Sequence, residues 1–352
     1  MAALGAPRTL LGLGLCLLLA GCVPPGAKLV SSGGTGGSKG QQLIAPTPAG
    51  VQYCHVRPPH LTTLRGAKIG FAQVESNNPF RIAETESIQS AAKQYHVQLL
   101  VTDAQSNTPK QVSDMQDMVA QHVKFIVVPP REELGLTPAL ESARKAGIPV
   151  IFTDRSAVAT PCRDYLTFIG SDFVNQAERA AQWLVQATQG QAKIAELLGT
   201  VGATATNDRT KGFAMGIARH PGMKIISQQS GDFVRATGQQ VMEQILGANP
   251  DLTAVFAQND EMALGAIQAL KDAGKHPGKD VQVVSVDGTR DGLRAIIRGE
   301  LGATVETNPR FGPLAFQVIQ RFLAGQPIPT KVIVRDRFFD KSNAAQYVSS
   351  SY

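Results

Sequence analysis

Aromatic side chains are scarce in this sequence. They make up 6% of its 352 residues, and tryptophan occurs once. The formal net charge is +6, yet lysine and arginine are scattered and form no extended basic run. Proteins that bind nucleic acids concentrate positive charge on one surface and often stack bases on aromatic rings. The sequence therefore predicts a solvated positive surface and no nucleic-acid partner.

Cysteine and histidine are also rare, with four and six residues in the whole chain. The histidines lie far apart, and neither C-x-x-C nor H-E-x-x-H occurs. Such spacings place metal ligands on one turn or one loop. Their absence argues against a metal site built from neighbouring residues, although a site assembled from distant parts of the chain stays open.

Motifs of the common catalytic sites are missing as well. There is no G-x-S-x-G elbow, no P-loop and no G-x-G-x-x-G after the first predicted strand. The glycines at 199 and 202 make only a weak phosphate loop. Asp154 and Asp287 could act as an acid–base pair, but the same carboxylates serve equally well as acceptors for a bound ligand. We therefore expect a binding protein without a cofactor, and not an enzyme.

Residues 1–22 have the features of a lipoprotein-type signal peptide. Arg8 supplies positive charge, and the apolar stretch from Leu10 to Ala20 is too short to span a bilayer. It ends in L-L-A-G-C, which resembles a bacterial lipobox whose cysteine, Cys22, becomes lipidated. One lipidated end would hold the protein on a membrane surface, at the periplasmic or extracellular face. The alternative is an ordinary signal peptide followed by a chance cysteine.

Residues 23–66 are rich in glycine, serine and proline. Such a segment buries too little apolar surface to offset the entropy lost on ordering, so we expect a flexible tether. Cys54 and Cys162 remain after the signal. Export places them in an oxidising compartment, which permits a disulfide between them but does not require one.

From residue 67 onward, short apolar runs typical of buried strands alternate with segments of helical periodicity. Strands are expected at 68–73, 97–102, 125–129 and 149–153, with helices near 80–95, 110–122 and 135–146. A second series has strands near 166–169, 193–198, 223–228, 253–257, 281–286 and 302–306. Alternating strands and helices form parallel sheets with right-handed crossovers. The sequence thus predicts an α/β protein with two similar lobes.

The stretch from Phe256 to Leu270 combines a buried strand with a helix. Asn259, Asp260 and Glu261 lie between them, at the carboxyl end of the strand. Ligands of open α/β sheets bind outside that end. Asp260 is also expected to cap the helix, because its carboxylate can accept from the first-turn amides. Residue types alone leave open whether these three residues bind a ligand or only cap and turn.

Similar polar groups follow six of the predicted strands. They occur in segments 75–81, 154–155, 199–209, 232–233, 259–260 and 287–288. Each residue alone could be a cap or a turn, but the recurrence favours one shared site. Asp, Asn and Arg pair well with hydroxyl groups, and Phe80 and Phe233 could cover the C–H faces of a sugar. The pattern predicts a site for a polyhydroxylated ligand.

From residue 67 to about residue 337, the chain resembles periplasmic binding proteins of the ribose/galactose type, the receptors of sugar ABC importers. It is most similar to the galactofuranose-binding branch of that family. The segments that carry the resemblance are 70–74 (GFAQV), 80–85 (FRIAET), 154–156 (DRS), 199–203 (GTVGA), 208–213 (DRTKGF), 229–233 (QSGDF), 256–262 (FAQNDEM) and 265–269 (GAIQA).

This resemblance implies a type I architecture, in which two Rossmann-like lobes are joined by a three-segment hinge and close on a sugar. The N-terminal lobe would comprise residues 67–170 and 308–334, and the C-terminal lobe residues 172–306 and 336–352. The crossings would lie near 170–172, 306–308 and 334–336. The implied ligand contacts are Asn78, Phe80, Arg81, Asp154, Arg155, Arg209, Phe233, Asn259 and Asp287.

Three departures from the family pattern alter the polarity of the implied site. Phe80 stands where the galactofuranose branch has tryptophan. Residues 129–132 (PPRE) replace an asparagine–proline of the ribose type, and Glu306-Thr307 stands where that type has glutamine. The resemblance therefore does not identify the sugar.

The resemblance further implies a monomer that captures a monosaccharide, of the furanose or pentose class, and delivers it to the membrane subunits of an ABC permease. A lac-type repressor shares the core but needs a DNA-reading head where this chain has the predicted signal and tether. A receptor for chemotaxis or quorum sensing would use the same cleft. Only its protein partner would distinguish such a receptor from the binding protein of an importer.

Overall fold

The structure, a computed structural model, describes residues 50–55 and 63–352. The predicted signal, Cys22 and most of the predicted tether lie outside these residues. Within them, no helix combines the length and the apolar character needed to cross a bilayer. The described chain forms two six-stranded sheets and one two-stranded ladder.

The strands and helices alternate along most of the chain. The strands are β1 (Tyr53–Cys54), β2 (Lys68–Gln73), β3 (Gln98–Asp103), β4 (Phe125–Val128), β5 (Val150–Thr153), β6 (Thr167–Gly170), β7 (Gln191–Leu198), β8 (Gly222–Ser230), β9 (Ala254–Ala257), β10 (Gln282–Asp287), β11 (Ala303–Glu306), β12 (Ile328–Pro329), β13 (Lys331–Ile333) and β14 (Phe338–Asp340). The helices are α1 (Pro79–Gln94), α2 (Thr108–Ala120), α3 (Thr137–Lys145), α4 (Phe173–Ala187), α5 (Thr204–Ile217), α6 (Arg235–Ala248), α7 (Asp260–Asp272), α8 (Arg290–Arg298), α9 (Gly312–Leu323) and α10 (Ala344–Tyr347).

The N-terminal lobe is built on a parallel sheet with the strand order β13-β6-β5-β4-β2-β3. Its central strands are continuous apolar runs, and all four residues of β4 and of β5 are buried. Such strands need helices on both faces of the sheet, because each face would otherwise expose apolar side chains. The late helix α9 returns to this lobe, where Phe316 stacks on Tyr95 and Phe322 packs edge-on against Phe125.

The C-terminal lobe is built on a second sheet with the order β14-β11-β10-β9-β7-β8. Five of its strands are parallel, but β14 pairs with β11 in the antiparallel sense. The ten predicted strands pair in parallel, as expected, and the unpredicted β14 adds an antiparallel edge. The chain enters β14 directly from the other lobe without a crossover helix, so it can run against its neighbour.

The ten predicted strands coincide with observed strands to within two residues at either end. The short strands β1, β12, β13 and β14 and the single turn α10 were not predicted. Elements of two to four residues are too short to show a hydrophobic period. Their formation depends on partners supplied by distant parts of the chain.

Two residues of the predicted tether lie in a strand, which corrects the expectation of a flexible segment at these positions. Tyr53 and Cys54 pair with Pro329 and Ile328 in the antiparallel β1–β12 ladder. A disulfide joins Cys54 to Cys162 in the loop between β5 and β6. Residues 53–54 are thus fastened to the N-terminal lobe, because a ladder and a covalent bond replace the apolar core that the segment lacks.

The chain passes between the two sheets three times among the described residues. These passages follow Gly170, Glu306 and Ile333. The predicted crossings near 170–172, 306–308 and 334–336 fall in these passages. Their action as a hinge, and the lobe boundaries drawn from them, stay predictions.

Candidate functional site

A small cleft lies between the two lobes, at the carboxyl ends of strands from both sheets. All nine residues predicted as ligand contacts line it, together with three that were not predicted, Glu75, Ala205 and Thr307. The structure therefore brings the nine residues together, while their part in binding stays a prediction. Across the described residues, no group of three or more His, Cys, Asp or Glu side chains is arranged to hold a metal ion.

Arg81 lies in the first turn of α1 and is central to the cleft wall of the N-terminal lobe. Asn78 caps this helix, because its Oδ1 accepts a hydrogen bond from the Arg81 backbone N–H at 3.0 Å. The guanidinium lies 2.7 Å from carboxylate oxygens of Glu84 and Asp154. A third carboxylate, that of Glu75, is 3.9 Å away. One buried arginine thus compensates three buried carboxylates.

The two arginines of this wall are affected differently by their surroundings. Burial alone would lower the pKa of Arg81, but the neighbouring carboxylates raise it well above its ordinary value. For Arg155, burial and the positive charge of Arg81 lower the pKa to about 10. Both guanidinium groups remain charged at neutral pH, so the wall presents two fixed cations.

Arg155 also carries an unsatisfied donor. Within the described part of the chain, its buried Nε has no hydrogen-bond acceptor, and the nearest carboxylate oxygen, on Asp154, is 3.6 Å away. Its Nη1 is satisfied by the backbone oxygen of Arg131 at 3.1 Å. A buried donor without a partner costs about 1–3 kcal/mol. An acceptor oxygen on a ligand would remove this cost.

Arg209, on α5, faces the cleft from the C-terminal lobe and is held mainly by neutral acceptors. Its Nη1 donates to the backbone oxygen of Gln258 at 2.7 Å, and its Nη2 to Oγ1 of Thr307 at 2.9 Å. Its Nε and Nη2 both donate to Oε1 of Gln176, at 3.2 and 3.1 Å. The nearest cleft carboxylate, Asp287, is 3.8 Å away.

Asp287 ends β10 and is buried at the cleft floor. Burial raises its pKa well above the ordinary carboxyl value, and the negative charges of Asp260 and Asp154 add to the rise. The positive charge of Arg209 opposes it. A protonated carboxyl donates as well as accepts, so this residue can match either side of a hydroxyl group.

Three cleft residues hold left-handed or similarly strained backbone conformations. Asp154, Phe233 and Asp287 have φ angles of 57°, 61° and 127°. Such conformations cost about 1–3 kcal/mol each and persist where the surrounding structure enforces them, often at functional sites. Gly199 contributes by leaving space, because a Cβ there would lie 1.9 Å from the Phe233 ring.

The two predicted aromatic walls are present on opposite sides of the cleft. Phe80 belongs to α1, and its ring packs edge-on against Tyr352, with centroids 6.0 Å apart. The Phe233 ring comes from the C-terminal lobe and lies 5.2 Å from the guanidinium of Arg155 and 5.9 Å from that of Arg209. An apolar ring between cations suits a ligand with both C–H and hydroxyl faces.

The expected helix cap at Asp260 is wrong, because its neighbour performs that role. Asn259 Oδ1 accepts from the Met262 backbone N–H at 2.9 Å, while its Nδ2 donates to the Phe233 backbone oxygen at 3.0 Å. Asp260 is fully buried, and its carboxylate accepts from a backbone N–H and from three hydroxyls, those of Ser285, Thr289 and Thr304. It fixes strand ends behind the cleft and does not line it.

Sequence reasoning missed Glu75, Ala205 and Thr307, which line the cleft, and Gln176, which lies behind it and contacts Arg209. Glu75 lies in a polar segment that was recognised, but it was not selected as a contact. Gln176 is buried in α4, where a helix pattern reads as interior, so no local signal indicates that its amide reaches Arg209.

The two lobes touch along a seam at the mouth of the cleft. The Glu133 backbone N–H donates to the backbone oxygen of Gly202 at 2.8 Å, and Asn207 Nδ2 donates to the Glu133 carboxylate at 2.8 Å. The Ser156 N–H donates to Oγ1 of Thr204 at 3.1 Å. Each bond joins one lobe to the other, so the described arrangement is a closed one.

Exposed apolar side chains flank this seam. Leu134, Val158 and Val201 are 69%, 63% and 71% exposed. The backbone of Glu133, which precedes Leu134, brings them close together. Its oxygen accepts a hydrogen bond from the Val158 N–H, and its N–H donates to the oxygen of Gly202, which follows Val201. The first two belong to the N-terminal lobe and the third to the C-terminal lobe.

A family model described as a periplasmic binding protein domain matches residues 69–327. Among curated proteins, the galactofuranose-binding protein YtfQ of Escherichia coli (strain K12) is 37% identical over 268 residues, which cover 75% of this chain and 84% of that protein.

Solved structures of proteins bound to sugars are also similar to this chain. A Mycobacterium smegmatis protein in complex with β-D-fucofuranose is 41% identical, with a TM-score of 0.78, and the match covers 81% of this chain and 94% of that one. The periplasmic binding protein component of the arabinose ABC transporter from Shewanella sp. ANA-3, bound to α- and β-L-arabinofuranose, is 40% identical. It also has a TM-score of 0.78, with 81% and 95% of the two chains covered.

Proposed function

The chain belongs to the periplasmic binding protein family, and from that premise we propose that it is the substrate-binding protein of a sugar ABC importer. It captures a monosaccharide of the furanose or pentose class between its lobes and delivers it to a membrane permease. The observation that carries this proposal is the cleft itself. Three buried arginines, two aspartates and two phenylalanine rings from both lobes meet around it.

The ligand contacts divide between the lobes. Asp154 and Arg155 follow β5 and act with Asn78, Phe80 and Arg81 from one side. Arg209, Phe233, Asn259 and Asp287 act from the other. A ligand that bridges both walls binds the closed state better than the open one, so it shifts the equilibrium toward closure. The three passages between the sheets serve as the hinge. No bond is broken in this proposal.

The furanose class is supported by the relatives, which are named for, or solved with, galactofuranose, fucofuranose and arabinofuranose. The orphaned Nε of Arg155 supports a ligand rich in acceptor oxygens, because such an oxygen would satisfy it. The Phe80 and Phe233 rings support a ligand with apolar faces.

The partner is a membrane permease that recognises the closed protein. The exposed side chains of Leu134, Val158 and Val201 support this proposal, because exposed apolar surface marks interaction sites and this surface joins both lobes. The predicted lipid on Cys22 would keep the protein at the outer face of the membrane, near that partner.

The ring form is tested with sugars that cannot interconvert. L-Arabinose closes to a furanose through O4 and to a pyranose through O5. Its 5-O-methyl ether is therefore confined to the furanose, and its 4-O-methyl ether to the pyranose. Calorimetric titration of the described domain is expected to show binding of L-arabinose and of the 5-O-methyl ether. Binding of the 4-O-methyl ether alone would overturn the furanose assignment, and binding of neither would move the search to other monosaccharides.

Delivery is tested with the membrane subunits of a sugar ABC importer reconstituted in vesicles. The sugar-loaded protein should stimulate ATP hydrolysis, and Val201→Glu together with Leu134→Glu should reduce this without changing sugar affinity. Sugar binding with no stimulation by the unaltered protein would instead favour the sensory-receptor alternative.

A further inference from the structure

The amide of Gln176 links the cleft to the hinge. On one side, its Oε1 accepts two hydrogen bonds from Arg209, at 3.2 and 3.1 Å. On the other side, its Nε2 lies within donating distance of the Glu306 backbone oxygen (3.0 Å), Thr307 Oγ1 (3.1 Å) and Asp336 Oδ2 (2.8 Å). Gln176 is 1% exposed, so these contacts replace water entirely.

The orientation of this amide is determined by its partners. A guanidinium donates only, so it requires the oxygen end of the amide. The Glu306 backbone oxygen only accepts, and Asp336 Oδ2 accepts here, so both require the nitrogen end of the amide. A proton on the other Asp336 oxygen, Oδ1, would leave Oδ2 an acceptor. If the amide were flipped, its nitrogen would face the donors of Arg209 and its oxygen would face the acceptors of Glu306 and Asp336. Gln176 can therefore hold Arg209 in place only while the acceptors on its other side stay where they are.

Those acceptors lie in the passages between the lobes. Glu306 and Thr307 belong to the second passage, and Asp336 belongs to the third. The first passage joins through Ser171, whose hydroxyl donates to Asp336 Oδ1 at 3.1 Å. All three passages thus meet on one carboxylate and one amide. Rotation of the lobes would move these three segments relative to one another.

We propose that Gln176 and Asp336 form a positioning relay, which orients Arg209 for ligand binding when the hinge is in its closed arrangement. The relay rests on the proposed function, since it explains how closure and ligand contact are coupled. Neither residue lines the cleft. Both act through Arg209, whose guanidinium plane is held by the Gln176 oxygen.

Asp336 is surrounded by charged groups of both signs. Glu306 and Arg209 lie on neighbouring elements, and Arg179 donates from Nη1 to the Asp336 backbone oxygen at 3.0 Å. The other charged residues of the same groove are Asp172, Arg335 and Arg337, of which Arg337 pairs with Glu306. Burial, together with Glu306, raises the pKa of Asp336 to about 7, although hydrogen bonds from Gln176 and Ser171 oppose the rise.

The sign of the pH effect follows from linkage. A hydrated aspartate has a pKa of about 3.9, so closure takes up a proton between that value and about 7. Closure is then most favourable at low pH, and affinity should fall as pH rises through this window and level off above it. The raised pKa of Asp287 should also make affinity fall as pH rises. The contribution of Asp336 is therefore the difference between the pH profiles of the unaltered protein and of its Asp336→Asn variant.

The test measures the dissociation constant of L-arabinose from pH 5 to pH 8.5 for three variants. Gln176→Met keeps the length of the side chain but removes the amide, and affinity should drop about tenfold, as expected for the loss of about 1.4 kcal/mol. Asp336→Asn should flatten the pH profile between pH 5 and 7. Asp172→Asn is the matched control, because its carboxylate lies in the same groove but does not contact the Gln176 side chain. The variant retains the cap of α4 and the backbone hydrogen bond from the Gln176 N–H to the oxygen of residue 172. It should follow the unaltered protein.

A second measurement does not depend on any sugar. Nitroxide labels on exposed positions 141 and 244, one in each lobe, report the distribution of lobe separations in the ligand-free protein. Gln176→Met should shift this distribution toward larger or broader separations. An unchanged distribution, or an Asp336→Asn pH profile parallel to that of the unaltered protein, would overturn the relay. If the unaltered protein fails to bind L-arabinose, this sugar is not its ligand, and the separations alone decide on the relay.

Discussion

The two halves of the cleft each present an arginine, and they hold it by opposite means. In the N-terminal lobe, Arg81 is fastened by charge, with carboxylate oxygens of Glu84 and Asp154 both at 2.7 Å. In the C-terminal lobe, Arg209 is fastened by a backbone oxygen, a hydroxyl and an amide. Its nearest cleft carboxylate is 3.8 Å away.

This difference suggests that the contacts of Arg81 serve the stability of the fold, while those of Arg209 serve the coupling between ligand binding and lobe closure. The buried charge network around Arg81 resists change, because removing one member leaves others uncompensated. Neutral acceptors around Arg209 leave more of its charge for a ligand and can be rearranged at lower cost. The wall around Arg81 is thus suited to be a rigid template, and the wall around Arg209 to the coupling proposed above.

The largest effect is expected from Arg81→Met. Three buried carboxylates would lose their shared cation, so the free energy of unfolding should fall by about 3–5 kcal/mol. Urea denaturation followed by circular dichroism measures this. A loss below that of Arg209→Met would contradict the template role of the N-terminal wall.

Arg209→Met should reduce sugar affinity more than it reduces the free energy of unfolding. Its partners are mainly neutral, so the free energy of unfolding should fall by only about 1–2 kcal/mol. Affinity for the bound sugar should fall about a hundredfold, because a charge-assisted contact is lost. Calorimetric titration and urea denaturation on one preparation separate the two quantities. Arg209→Lys, which keeps the charge but not the planar fork, should recover only part of the affinity.

The contact between the halves is tested at the seam. Asn207→Asp would place a carboxylate against Glu133 where a hydrogen bond now exists. Because both side chains are partly solvated, affinity should drop only about threefold. Asn207→Ser, which removes the amide without adding charge, is the control. If high salt fails to reduce the penalty of Asn207→Asp, repulsion is not its cause.

The smallest effect concerns the pH dependence of stability. A carboxyl whose pKa is raised by burial favours the folded state most below its ordinary pKa, and this advantage is lost as pH rises toward the raised value. Asp287→Asn should therefore make the decline of the melting temperature above about pH 4 shallower, by about 2–4 °C at neutral pH. Thermal melts of the ligand-free protein and of the variant from pH 4 to 8 measure this difference in melting temperature. Asp260 is unchanged in both proteins. Parallel melting curves would show that Asp287 does not carry this titration.

Sequence reasoning identified nine residues that line the cleft, but not the contacts that these residues make. The polar residues at strand ends converge because parallel strands bring their carboxyl ends to one edge, a relation that follows from element order alone. The partners of each residue do not follow from it. Asn259 and Asp260 are adjacent and chemically similar, and only the positions of β10 and β11 decide that the first caps the helix while the second is buried.

The sequence by itself determined the α/β architecture, the positions of the long strands and the composition of the cleft. These properties depend on hydrophobic period and on residue order, and both are local or topological. Tertiary structure alone decided that β14 runs antiparallel, that residues 53–54 join the N-terminal lobe, and that Gln176 connects Arg209 to two passages between the lobes. Each of these depends on which distant groups meet in space, because a hydrogen bond in a buried site is specified by both partners and by neither one alone.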